Sequence, residues 1–199
     1  MIKFESGFAT TDGCHDAIGK YAIPKEWWSR TFEYPWASCY IDKEDTAVDA
    51  GCGVTHFFKQ WLAENCAMVH AIDTAVDTGL MPGYDNLMHH RAGIDKIPLA
   101  DGTADKVMCI SVFEHTKNQQ DILKEFARVL KPNGLVVLTL DVPTIQIDTW
   151  RGLVEKSPLD FAGSVTWEEP ANILVEPPNP NRRGAAPRRV FCSVLRHRA

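Results

Sequence analysis

Along the middle of this 199-residue chain, short apolar runs alternate with stretches whose apolar residues recur at helical spacing. Residues 46–50, 66–73, 87–93, 106–112 and 135–141 read as strands; the fourth is too continuously apolar for a half-exposed one. Between the first two, Phe57, Phe58, Trp61 and Leu62 make a core-facing stripe, which predicts a helix over 54–65. Thr116 and Gln119 have the spacing of a capping box, opening a helix whose apolar face is Ile122, Leu123, Phe126, Val129 and Leu130. Lys131-Pro132-Asn133-Gly134 stops it. A short helix over 145–156 and an alternating strand over 189–196 finish the pattern. Strands alternating with helices predict an α/β fold with an open, doubly wound, Rossmann-like sheet, which binds ligands at the C-terminal ends of its strands.

The first 44 residues break this rhythm. Residues 1–24 carry Gly7, Gly13, Gly19 and Pro24 with little periodicity, and read as a loop-rich arm. The run from Lys25 to Ile41 is dense in aromatics (Trp27, Trp28, Phe32, Tyr34, Trp36, Tyr40), and Pro35 is expected to break it into two short helical pieces. Two roles are open to it: packing on the sheet edge, or covering a ligand, since pockets are lined by aromatics with polar tips. The expected division is an arm and aromatic lid over 1–44 and a ligand-binding domain over 45–199.

Candidate chemistry centres on TAVDAGCGVT, residues 46–55. A strand runs into a turn with Gly51 and Gly53, where glycine tolerates positive φ and lets the backbone approach a ligand. Some 20 residues on, a second strand ends in Asp73, the spacing at which such sheets set a carboxylate on a ribose. A pyrophosphate turn wants a third glycine, but the chain has His56 there. Asp49 would also repel a phosphate and suits a cationic amino-acid ligand. The best match is S-adenosyl-L-methionine, which joins an adenosine to an amino group and a sulfonium without a phosphate.

These residues resemble motif I and the following acid of the class I S-adenosylmethionine-dependent methyltransferases. The block IPLADGTADKVMCISVFEHTKNQQDILKEFARVLKPNGLVVLTLD, residues 97–141, is similar to the same family's later motifs, so the likeness spans roughly residues 45–143. The resemblance implies that the last strand is antiparallel and that Asp49, Gly51, Cys52, Gly53, Asp73, Thr74 and Ser111 contact the cofactor. In the family an acid commonly stands four residues before the LP-like leucine, near the adenine; here that position is Gly93. The contact is therefore assigned to the Ile94 backbone and the Asp95 side chain. Ser29, Arg30, Glu33, Tyr34, Pro35 and Trp36 resemble a segment ahead of motif I in some small methyltransferases, including ones linked to glycan modification. EPPNP, residues 176–180, is superficially similar to a motif of amino-methylating DNA enzymes but stands in the wrong place.

Methyl transfer needs the acceptor held in line with the methyl group, and a base can take the acceptor's proton. His115, at the end of the fourth strand, and Asp141, at the end of the fifth, are the candidate catalytic residues. No metal is expected: His89 and His90 face opposite ways, and Asp141 with Asp148 is too small a ligand set. The six scattered cysteines read as small buried thiols.

Charge bears on the acceptor. From Glu176 to Ala199 there are six arginines and one acid, a local +5 within a total of −5, which leaves −10 for residues 1–175. An acidic body argues against a broad nucleic-acid footprint, while the tail either meets an anionic substrate or forms a solvated edge. No stretch approaches the ~20 apolar residues of a membrane span and no basic-then-apolar leader opens the chain, so a cytoplasmic protein with no membrane partner is expected. The implied function is O-methylation of a small molecule or a sugar or glycan hydroxyl. The alternatives are a nucleic-acid methyltransferase and a cofactor-binding protein without methyl transfer.

Overall fold

A computed structural model describes residues 4–182 and 184–199; Arg183 of the arginine-rich tail and residues 1–3 of the arm lie outside the described residues. In chain order the elements are β1 (Glu5–Phe8), β2 (Ala17–Ile18), β3 (Tyr21–Ala22), α1 (Arg30–Ser38), β4 (Thr46–Ala50), α2 (Phe58–Asn65), β5 (Met68–Asp73) and β6 (Gly79–Leu80). There follow β7 (Leu87–Arg91), β8 (Ala104–Ile110), α3 (Gln119–Val129), β9 (Leu130–Val142), α4 (Ile147–Glu155), β10 (Leu159–Phe161), β11 (Ser164–Val165) and β12 (Arg189–His197).

The main sheet runs β11-β1-β12-β9-β8-β4-β5-β7-β6, with β10 also on β12. Its centre, β7-β5-β4-β8-β9, is parallel, and β12 pairs antiparallel with β9. Period-two alternation sends successive strand residues into opposite layers. Val48, Ile72, Val107 and Leu138 meet α3 and α4 through Phe126 and Trp150, whereas Ala47, Val69, Met108 and Val137 meet α1 and α2 through Tyr34 and Leu62. The sheet is thus covered on both faces, and the polar groups at its strand ends are the ones left to do chemistry.

Several expectations change. The arm contributes β1 to the sheet: Gly7 and Phe8 pair with Cys192 and Phe191 of β12, and the Ser6 hydroxyl accepts the Val194 N–H at 3.0 Å. Pro35 does not split its segment, because α1 runs through it; the Thr31 carbonyl that Pro35 leaves without a helical donor accepts the His15 N–H at 2.7 Å. The helix after the glycine turn begins at Phe58, not Val54, since the backbone is still looping through positive φ at Gly53. No capping box opens α3: Thr116 donates its hydroxyl to the Phe113 carbonyl at 2.7 Å, and the helix starts at Gln119. The cysteines are free, and Cys52, Cys66, Cys109 and Cys192 are buried.

Candidate functional site

At the end of β4 the chain turns through Gly51 (φ 83°) and Gly53 (φ 60°). A Cβ at Gly51 would stand 2.6 Å from the Val112 methyls, so only glycine fits between β4 and the end of β8. The Gly51 and Cys52 N–H groups donate to the Ile72 carbonyl at 2.8 and 3.1 Å, tying the loop to β5. The Asp73 carboxylate then accepts the Gly53 N–H at 3.0 Å and the Ala75 N–H at 2.9 Å while staying partly open to solvent.

A fully buried lysine fixes the rest of this loop. Lys59, on the first turn of α2, directs its ammonium back at the loop and donates to the carbonyls of Cys52 (3.4 Å), Gly53 (2.8 Å), Val54 (3.3 Å) and His56 (2.5 Å). His56, at the missing third glycine, ties the loop to the aromatic segment. Its Nδ1 meets the Tyr34 hydroxyl at 2.9 Å, and its ring stacks on Trp27 with centroids 4.4 Å apart. Below the loop Asp49 is buried with no hydrogen-bond partner for Oδ2. Burial pushes its pKa up to about 7, Lys59 opposing and Asp73 adding to the shift.

Three adjoining cavities follow the C-terminal ends of the parallel strands. The first, about 250 Å³, lies between Gly51, Asp73, Thr74, Ile94, Asp95 and Val112. The second, about 160 Å³, shares Gly51 and Val112 and adds Arg30, Asp49, Cys52, Gly53 and Ser111. A third, about 220 Å³, shares Arg30, His56 and Ser111 and reaches Trp27, Trp28, His115, Asp141 and Arg188. Larger hollows of about 430 and 460 Å³ lie against β1 and at the opposite end of the sheet. Unpaired chemistry, not size, singles out the cleft. Among the described residues six buried side-chain atoms have no hydrogen-bond partner, and four of them gather here: Arg30 Nε, Asp49 Oδ2 and Asp141 Oδ1 in the lining of the second and third cavities and Glu114 Oε2 beside them, with His89 Nε2 and Arg189 Nε the two elsewhere.

Two buried ionic networks shape the far end. Glu33, wholly buried, pairs with Arg30 and accepts the hydroxyls of Ser111 and Thr139, both at 2.5 Å. Burial alone would raise its pKa, but Arg30 and the two hydroxyls prevail and hold it below the usual carboxylate range. Ser111 has φ 49°, unusual for a residue with a side chain; its N–H is held by the Thr139 carbonyl at 3.2 Å and hydroxyl at 3.0 Å. In the second network Arg188 donates to Asp141 Oδ2 at 2.6 Å and to both oxygens of Glu176. Glu114 accepts the Asp141 N–H at 2.9 Å. Burial raises the pKa of Glu114 to about 8 and also raises that of Asp141, which Arg188 partly offsets.

All eleven residues singled out in the sequence line this cleft: Asp73, Thr74, Ile94 and Asp95 the first cavity, Asp49, Cys52 and Gly53 the second, His115 and Asp141 the third, with Gly51 and Ser111 at the junctions. The Asp95 carboxylate folds over Gly93, where an added Cβ would come 2.4 Å from Oδ1. Asp148 is exposed at the start of α4. Sequence reasoning missed Lys59, Glu114, Arg188 and the Arg30–Glu33 pair. For the pair, the signal was present in the SR-x-x-EYPW segment.

Residues 48–138 match the family described as methyltransferase domain. The chain is 28% identical over 115 residues to a malonyl-[acyl-carrier protein] O-methyltransferase of Enterobacter lignolyticus, covering 55% of this chain and 45% of that protein. It is 27% identical over 142 residues to a dimethylglycine N-methyltransferase of Parasynechococcus marenigrum, covering 61% and 48%. The chain thus spans about half the length of the curated relatives it matches. Its fold is shared with a SAM-dependent methyltransferase from Aquifex aeolicus, with TM-score 0.57, 17% identity and coverage of 83% of this chain and 92% of that one. The matched span, which carries the glycine loop and Asp73, is similar to the methyltransferase domains of S-adenosylmethionine-dependent enzymes, and S-adenosylmethionine is the cofactor that this match implies.

Proposed function

We propose that the chain transfers the methyl group of S-adenosylmethionine to a hydroxyl of a small molecule or a sugar. One observation carries the reading: the second cavity holds an unpaired buried acceptor, Asp49 Oδ2, and an unpaired buried donor, Arg30 Nε. An amino-acid end group, ammonium plus carboxylate, has the complementary charges, so the residues present fit the cofactor's methionyl part. Asp73 would hold the ribose hydroxyls, the Ile94 backbone and Asp95 the adenine, and Ser111 and the Gly51–Gly53 backbone the middle. When bound, the cofactor supplies an activated methyl group on a sulfonium.

The third cavity, continuous with the second at Arg30 and Ser111, is the acceptor end in this reading. His115 is exposed toward it and Asp141 is buried in its wall, and both are positioned to meet an acceptor hydroxyl and its proton. Trp27 and Trp28 line the same cavity, which supports a lid role for the aromatic part of residues 1–44, while β1 of that arm belongs to the sheet of the domain over 45–199. The relatives' names include both O- and N-methyltransferases; Glu114 and Asp141, whose pKa values burial raises, suit uptake of an acceptor hydroxyl's proton. The tail supports a small acceptor rather than nucleic acid. Arg182 and Arg188 pair with Glu176, Arg189 pairs with Glu169, and Arg198 donates to the carbonyls of Val154, Glu155 and Leu159. Incubation with methyl-labelled cofactor and separated metabolite, glycan and nucleic-acid fractions tests this. Label is expected in metabolites or glycans; label confined to nucleic acid, or no turnover despite cofactor binding, would overturn it.

A further inference from the structure

Glu114, His115 and Asp141 form a group of three in which one ligand atom from each lies within 4.8 Å of the others, and no other such group occurs among the described residues. Two of the three are deeply buried. The Glu114 side chain is 0% exposed and that of Asp141 4%. Each keeps one carboxyl oxygen with no hydrogen-bond partner. Burying a carboxylate is costly unless it is paired, and Arg188 does not serve both: its Nη1 reaches Asp141 through Oδ2 alone, and its Nε and Nη2 go to Glu176. Glu114 has the Asp141 N–H and the His115 ring, Nε2 to Oε1 at 3.9 Å, but no lysine or arginine. His115, with its side chain 55% exposed, can bring that ring toward the carboxyls from the cavity side.

We propose that these three side chains seat a divalent cation in the wall of the third cavity. The donor set is two carboxylate oxygens and one imidazole nitrogen, which suits a hard to intermediate ion such as Mn²⁺, with remaining positions open to water or an acceptor. Arg188 would orient Asp141 from behind, in the way outer hydrogen bonds fix a ligating carboxylate. The cation's role, though not its seat, rests on the reading of this cavity as the acceptor end. An acceptor hydroxyl bound to the ion loses its proton to water more readily. Its oxygen then forms the new bond to the methyl carbon as the carbon–sulfur bond breaks and the sulfur keeps that electron pair. His115 and Asp141 then act as ligands, and a separate base is not required.

The test is a Mn²⁺ titration of the full chain after chelator treatment, read by loss of the free-ion electron-spin-resonance signal. One ion per chain is expected, with Glu114→Gln and Asp141→Asn each weakening it at least tenfold, His115→Ala weakening it less, and Asp148→Asn leaving it unchanged. Glu114→Gln is isosteric and removes a buried charge, so its fold is checked by S-adenosylhomocysteine binding. Failure of the wild type to retain Mn²⁺ at millimolar concentration, or retention undiminished in Glu114→Gln, would overturn the site. Calorimetry with S-adenosylhomocysteine on the chelated protein keeps the two readings apart. Heat without Mn²⁺ binding counts against the cation alone, and absence of heat counts against the cofactor assignment.

Discussion

Two acids end parallel strands at the two ends of the cleft, and they are held in opposite ways. Asp73 is partly open and takes both of its hydrogen bonds from nearby backbone, the Gly53 loop and Ala75 two residues on. Asp141 is buried. Its N–H goes to Glu114, its carboxyl to Arg188 from 47 residues away, and one oxygen goes unpaired. The Asp73 end, the cofactor end in the proposed reading, is therefore built by local chain geometry, with lone pairs left over for a ligand. The far end is built by long-range ionic contacts that the fold must hold in low dielectric, where each unpaired group is costly. Removing a group at the far end should be felt as stability, and removing one at the near end as affinity.

The largest expected effect tests the first half of that contrast. Glu33→Ala leaves Arg30 buried without its carboxylate and strips the partner from Ser111 and Thr139. A loss of about 3–5 kcal/mol in unfolding free energy is expected, read by urea denaturation. A cost below about 1 kcal/mol would show that the network is not what holds α1 to the sheet. Next comes Asp73→Ala. Each charge-assisted bond to a ribose hydroxyl is worth about 1.5–3 kcal/mol, so S-adenosylhomocysteine affinity should fall roughly tenfold or more, with a smaller stability loss than Glu33→Ala. An equal loss of stability in both variants would erase the distinction between the two ends.

The same contrast explains what was legible in the sequence. The parallel core, the glycine turn and Asp73 follow from periodicity and from a spacing of some 20 residues, because those contacts are close in sequence. What escaped depends on tertiary reach. Lys59 looked like an ordinary helical lysine, since its four carbonyl contacts exist only because α2 starts late and the loop folds over it. Pro35 looked like a breaker because the donor that satisfies Thr31 comes from His15 in the arm. Arg188 looked like part of a basic tail, yet it is the cation between Asp141 and Glu176. Glu114 stands inside the block that resembles the family's later motifs, with nothing local to announce its burial.

Asp49 sits between the two regimes and gives the smallest effect. It is legible, being two residues before Gly51, but it is buried like the far-end acids, and burial lifts its pKa from 3.8 to about 7. The sign follows from proton binding: between those two values the folded state holds a proton that the unfolded state has lost. Asp49 therefore favours folding below the lower value, and its contribution declines as pH rises toward about 7. Relative to Asp49→Asn, the free wild-type protein should lose thermal stability between pH 4 and pH 7. If the ionised carboxyl receives the cofactor's ammonium, affinity should move the other way. Binding of S-adenosylhomocysteine would tighten by about fivefold from pH 6 to pH 7 in the wild type and stay flat in Asp49→Asn, as expected for one group titrating near 7. Parallel affinity profiles in the two proteins would remove Asp49 from the cofactor's amino end and leave its unpaired oxygen without a ligand.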